Sequence, residues 1–173
     1  ARLLIILFML FTYESADSQE DNLSGILKSG AGLIKLAGEF SFTEGPAADK
    51  AGNVYFTDQP NDRIMKWSTE GELSTFMQPS GRSNGMFFDG HGNLWSCADE
   101  KNEILKIVPG REPEAISLKY EGRLMNGPND LWVSPGGDIF FTDPYYKRSW
   151  WNHSEMPQEK QCVYFLSADH LTL

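Results

Sequence analysis

Asn126-Gly127-Pro128-Asn129-Asp130 is followed by Leu131-Trp132-Val133, then Ser134-Pro135-Gly136-Gly137, then Asp138-Ile139-Phe140-Phe141-Thr142-Asp143. This is an oxygen-rich turn, a short apolar strand, a glycine hairpin and a second strand closed by Asp. The same order occurs twice upstream. One copy runs from Glu44-Gly45-Pro46 through Ala51-Gly52 to Asn53-Val54-Tyr55-Phe56-Thr57-Asp58. The other runs from Asn84-Gly85-Met86 through His91-Gly92 to Asn93-Leu94-Trp95-Ser96-Cys97-Ala98-Asp99. Aligned on Gly52, Gly92 and Gly137, the copies stand about 40 and 45 residues apart, in the range of propeller blades or solenoid units.

Each copy continues with a third strand. Arg63-Ile64-Met65-Lys66-Trp67 matches Glu103-Ile104-Leu105-Lys106-Ile107, and Cys162-Val163-Tyr164-Phe165-Leu166 takes that place in the last copy. A fourth follows, as in Glu72-Leu73-Ser74-Thr75-Phe76. Strands at this spacing with no helical periodicity between them predict an all-β fold, and four strands in about 40 residues make one blade of a β-propeller. Hairpins of a sandwich are the competing arrangement, but strand length, turn residues and terminal Asp recur together. Closing a ring takes at least about four blades, and residues 42–173 hold three. The expectation is therefore the first three blades of a longer propeller. Residues 19–41 are expected to be a linker in which Gly32-Leu33-Ile34-Lys35-Leu36-Ala37 alternates as a strand that completes the last blade.

The 40% hydrophobic and 13% aromatic content suffices for a packed core. With a net charge of −9 and no run of Lys or Arg, nucleic acid and anionic membranes are poor partners, and small molecules remain open. Arg2 and the apolar run from Leu3 to Phe11 resemble a signal peptide over residues 1–18, cut after Ser18 by the Ala16 and Ser18 rule. A retained lipid anchor is the alternative, though the run falls short of the roughly 20 residues that span a bilayer. The expected location is periplasmic or secreted, with no membrane association after cleavage; the oligomeric state is left open. Cys97 and Cys162 sit among apolar residues in predicted strands and are expected as buried free thiols.

Glu44, Asn84 and Asn129 occupy one repeat position, at the head of the innermost strand, where successive blades converge on the axis. Oxygen-bearing side chains there are costly to bury unless satisfied, and a ring of them suits a hard cation. Ca²⁺ fits best, with Mg²⁺, Mn²⁺ or Zn²⁺ possible. Turn capping is the alternative role. There is no HExxH or CxxC motif and no Gly-x-Ser-x-Gly elbow, which disfavours a serine hydrolase. Asp58, Asp99 and Asp143 recur after the second strand and are expected as turn caps. His91 and His170 are expected as exposed turn residues. The third copy carries an insertion within 144–160 holding Tyr145, Tyr146, Trp150, Trp151, Asn152 and His153, either a wall over a ligand or a cap on the neighbouring blade.

Phe42-Thr43-Glu44-Gly45-Pro46, Asn126-Gly127-Pro128-Asn129-Asp130, Phe141-Thr142-Asp143-Pro144 and Tyr164-Phe165-Leu166-Ser167-Ala168-Asp169 resemble the senescence-marker-protein, regucalcin and gluconolactonase family, in its bacterial gluconolactonase-like branch. The resemblance implies a six-bladed propeller with one catalytic divalent metal, hydrolysing sugar lactones or related esters. It implies Glu44 as a metal carboxylate and Asn129, with Asp130 beside it, at the substrate or metal site. Asn84 joins them by repeat equivalence alone. A fourth-blade Asn ligand and a fifth-blade general-base Asp would lie beyond Leu173, so these residues alone are expected to be inactive. A non-catalytic propeller binding protein or glycan, and a hydrolase of phosphotriesters or acyl esters, are the alternatives.

Overall fold

The computed structural model describes residues 28, 30–170, 172 and 173. The signal-peptide assignment lies outside them. Residues 32–37, expected as a strand, adopt no strand conformation, and Leu33 and Ile34 lie open to solvent. The blade it was expected to complete is not among the sheets of the described residues.

From Thr43 onward the chain is all-β and antiparallel. The first sheet is β1 (Thr43–Ala48), β2 (Val54–Asp58), β3 (Arg63–Trp67) and β4 (Leu73–Met77), in that spatial order. The second is β5 (Ser83–Phe88), β6 (Leu94–Ala98), β7 (Glu103–Ile107) and β8 (Glu114–Ser117). After a small hairpin, β9 (Lys119–Tyr120) and β10 (Arg123–Leu124), the third sheet forms from β11 (Leu131–Val133), β12 (Ile139–Asp143) and β13 (Cys162–Leu166). The first two sheets are four-stranded meanders of the blade type that the repeat predicts; the third has three strands among the described residues, one fewer than expected.

The hairpin between the first two strands is built the same way in the first two blades. Asp49 accepts hydrogen bonds from the Ala51 and Asn53 amides, the Asn53 side chain and the Tyr55 hydroxyl. Asp89 accepts the counterpart set from His91, Asn93 and the Trp95 indole. In the third blade Ser134 replaces the Asp, and its hydroxyl accepts from the Asp138 amide at 3.0 Å. An Asx-type turn thus sets the hairpin register.

Period-two alternation gives each strand two faces, and the blades stack through both. Tyr55, Ile64, Met86, Leu94 and Leu105 fill the layer between the first and second sheets. Trp95, Cys97, Ile104, Leu131, Ile139 and Phe141 fill that between the second and third. The middle blade is covered on both sides, so every residue of β6 is buried. Cys97 is one of these and its thiol pKa is pushed up by burial. Cys162 departs from expectation: it is free but exposed. It opens β13, which pairs on one side with β12 and ends the three-strand order, so its side chain meets no second layer.

Candidate active site

The innermost strands β1, β5 and β11 run side by side. In each blade the pairing with the second strand slips at the same place. Glu44 faces Thr57 while Ala47 faces Tyr55, and Ser83 faces Ala98 while Met86 faces Ser96. In the third blade the Asn129 amide donates to the Thr142 carbonyl and Trp132 faces Phe140. Each is a one-residue β-bulge, a device that re-aims side chains beside functional sites. It falls at Glu44, Asn84 and Asn129 in all three copies.

Two glycines let the strands approach. A Cβ on Gly45, whose φ is +52°, would sit 2.8 Å from the Gly85 Cα and 2.9 Å from the Met86 nitrogen. A Cβ on Gly85 would meet the Asp130 Cα at 2.5 Å and the Asn129 carbonyl oxygen at 2.6 Å. Instead, the Gly85 amide donates to that carbonyl at 2.7 Å, joining the second blade to the third. The Thr57 hydroxyl lies 3.1 Å from the carbonyl oxygens of both Glu44 and Asn84, bridging the first blade to the second.

The outcome is a cavity of about 210 Å³ lined by Phe42, Glu44, Asn84, Asn129, Tyr146 and Arg148. The three residues that the repeat singled out are therefore together. None of their side chains hydrogen-bonds to another described residue, although Asn84 is only 3% exposed. Facing the cavity with no protein partner, these oxygens suit a ligand that supplies one. A carboxylate with two neutral amide oxygens is a hard donor set and fits an oxygen-preferring divalent cation. Among the described residues no three His, Cys, Asp or Glu side chains cluster for a metal, so any such site depends on the Asn oxygens. Asp130 stands apart from this cavity: it is exposed, over Gly85, in an adjoining depression of about 280 Å³. A larger hollow of about 600 Å³ lies beside β13 and the β9–β10 hairpin, away from the axial residues.

The recurring Asp residues divide into two roles. Asp58 is fully buried and accepts from the Ser41 and Phe42 amides and from Asn61, besides a two-pronged ion pair with Arg63 at 2.9 and 2.7 Å. Burial works to raise its pKa, but these hydrogen bonds outweigh it and hold the carboxyl below its ordinary value. Asp143 accepts from the Asn126 and Gly127 amides at 2.9 and 2.8 Å, and there burial wins and raises the pKa. Both cap the chain leading into the inner strand, as expected. Asp99 does not. It lies one residue past Ala98, the register counterpart of Asp58, and the chain entering the second blade is capped instead by Asp62 of the first, which accepts from Ser80 and Arg82. Asp99 instead binds the third-blade insertion, accepting from Arg148 Nε at 2.8 Å and Trp150 Nε1 at 3.1 Å, besides Gln59 Nε2 at 3.0 Å. Its pKa is raised by burial against the pull of Arg148.

The insertion is thus both things the sequence left open. Trp150 and Trp151 cap the second blade, the latter donating to the Asp99 carbonyl oxygen and covering Gly127. Tyr146 and Arg148 reach the axial cavity. His153 stacks on Trp151 at 4.9 Å and does not line the cavity. His91 is exposed, while His170 is half-buried edge-on to Trp95. Arg148 was invisible to the repeat because the insertion has no counterpart in the other copies. A cation flanked by aromatics was its only sequence signal.

Consecutive antiparallel blades around an oxygen-lined axial cavity define a protein of the β-propeller class. The sequence pattern of the SMP-30/Gluconolactonase/LRE-like region matches residues 42–173, and the chain belongs to that family. A gluconolactonase of Zymomonas mobilis is 32% identical over 139 residues, covering 72% of this chain and 39% of its own length. A structural-genomics target classed with the gluconolactonases superimposes with a TM-score of 0.75 at 33% identity, over 83% of this chain and 51% of that one. A gluconolactonase of Xanthomonas campestris gives 0.72 at 25% identity, over 79% and 48%. The chain spans about half the length of these solved structures.

Proposed function

We propose that this protein is a divalent-cation-dependent hydrolase that opens sugar lactones. The observation that carries the proposal is the convergence of Glu44, Asn84 and Asn129, all without hydrogen-bonding partners among the described side chains, on one cavity. Family membership and the gluconolactonase relatives support the same substrate class. Glu44 would hold the cation, Ca²⁺ before Mg²⁺, Mn²⁺ or Zn²⁺, with the Asn129 and Asn84 amide oxygens completing its protein side. When bound, such a cation supplies a Lewis acid that lowers the barrier to attack on a lactone carbonyl by several kcal/mol.

The chain's own residues do the rest. Asn84 and Asn129, fixed by the bulges and the Gly85 contact, orient the lactone oxygens. Asp130 stands at the rim. Phe42 and Tyr146 give the cavity apolar surface for the sugar ring and exclude water from part of it. The six-blade ring, and export to the periplasm or medium, belong to the same proposal.

Glu44→Gln keeps the side-chain shape and removes the charge. In the full-length protein, acid release from a sugar lactone should fall at least about 100-fold, and calorimetry should record weakened Ca²⁺ binding. Undiminished turnover would refute the assignment. A non-catalytic propeller would release no acid with or without added cation.

A further inference from the structure

Among the residues lining the axial cavity, Arg148 is the one cation. Three contacts fix it. Its Nε donates to Asp99 at 2.8 Å, and its guanidinium lies 5.5 Å from the ring centres of both Tyr146 and Trp150. Arg82 packs on Trp150 at 4.9 Å, bracing that ring in turn. Its two terminal nitrogens make no hydrogen bond to the described residues. A planar fork held from behind, with both outer nitrogens free, is preorganised for two-point binding of a carboxylate.

The position of Asp99 strengthens this. Asp58 and Asp143 cap inner strands, whereas Ala98 holds their register position in the second blade, Asp62 caps that inner strand, and Asp99, one residue further on, turns to the insertion. A carboxylate with no counterpart in the other two copies thus holds Arg148 at the cavity.

We infer that Arg148 is a substrate-binding residue that recognises a carboxylate carried by the lactone away from its reacting ester. The preferred substrates are then lactones of sugar diacids, which keep one free carboxylate, over neutral lactones of the same ring. The inference rests on the proposed lactonase activity for its substrate class, but the anion site can be measured without it.

Two probes differ only in that group: glucarolactone, which carries a carboxylate, and gluconolactone, which does not. In Arg148→Gln the KM for glucarolactone should rise about 10- to 100-fold, with kcat and both gluconolactone constants changed by less than about threefold. Arg148→Lys retains a charge beside Asp99 but lacks the fork, and should keep the wild-type melting temperature with intermediate affinity. It serves as the test should the Gln variant fail to fold. Calorimetric titration with glucarate, against the uncharged polyol glucitol, should give the same ranking independent of turnover. Equal losses on both lactones, or glucarate binding unchanged in the Lys variant, would overturn the inference. If neither lactone is hydrolysed while glucarate binding still depends on Arg148, the hydrolase proposal fails and the anion site stands.

Discussion

Gly85→Ala tests how the axial site is assembled. The added methyl would lie 2.3 Å from Asp130 Oδ1, 2.5 Å from its Cα and 2.6 Å from the Asn129 carbonyl oxygen, where ordinary contact begins near 3.4 Å. The Asp130 side chain can rotate away; the two backbone atoms cannot. The third blade must therefore retreat from the second by about 1 Å, since repulsion rises steeply inside contact distance. That shift stretches the 2.7 Å bond from the Gly85 amide to Asn129 beyond hydrogen-bonding range. Overpacking of this kind costs about 1–3 kcal/mol, and the lost bond adds about 0.5–1.5 kcal/mol. The sum, about 2–4 kcal/mol, corresponds to a fall in melting temperature of about 5–15 °C for a domain of this size. Gly90→Ala is the control, because nothing lies within 4 Å of its added methyl. Thermal unfolding by circular dichroism, with cation binding measured in parallel, reads both effects. If Gly85→Ala melts within a degree or two of the control, the inner strands do not pack as described. Unchanged cation affinity would mean that Asn129 plays no part in holding it.

Asp58→Ala removes the acceptor of a buried ion pair and should destabilise the protein by about 3–5 kcal/mol, more than the exposed pair of Arg123 and Glu159 contributes. Chemical denaturation would measure it, and a loss below about 1 kcal/mol would refute the capping role. Because the folded pKa of Asp58 is depressed, its contribution is present above the unfolded carboxylate value of about 3.9 and fades as pH falls through the folded value. The gap between wild type and Asp58→Asn should accordingly narrow on acidification, and a constant gap would contradict the linkage. A disulfide-exchange reagent should titrate one thiol, Cys162, in the native protein and both in denaturant; rapid labelling of Cys97 under native conditions would contradict its burial.

The blades were legible in the sequence because turn chemistry and strand alternation act over a few residues and recur. Asp49 and Asp89 organise their hairpins through contacts within six positions, so the pattern that predicts the turn is the pattern that makes it. The convergence of Glu44, Asn84 and Asn129 followed from the repeat, since equivalent positions in stacked blades face one axis. The alternation at 32–37 names no pairing partner by itself, so whether it completes a blade is a tertiary matter. Cys162 failed for a related reason: local apolarity does not reveal whether a strand has a second layer against it.

What the sequence determined by itself was the all-β repeat, its blade length and the oxygen-bearing position that opens each copy, because short-range periodicity and turn preference encode all three. Only the tertiary structure decided that the bulges and two glycines bring those oxygens into one cavity. Only it revealed that Asp99, one residue past the position of the capping carboxylates, holds Arg148 there. Asp99 and Arg148 are 49 residues apart, and their meeting depends on how the third blade's insertion folds across the second. No periodicity records such a contact, because it is made once.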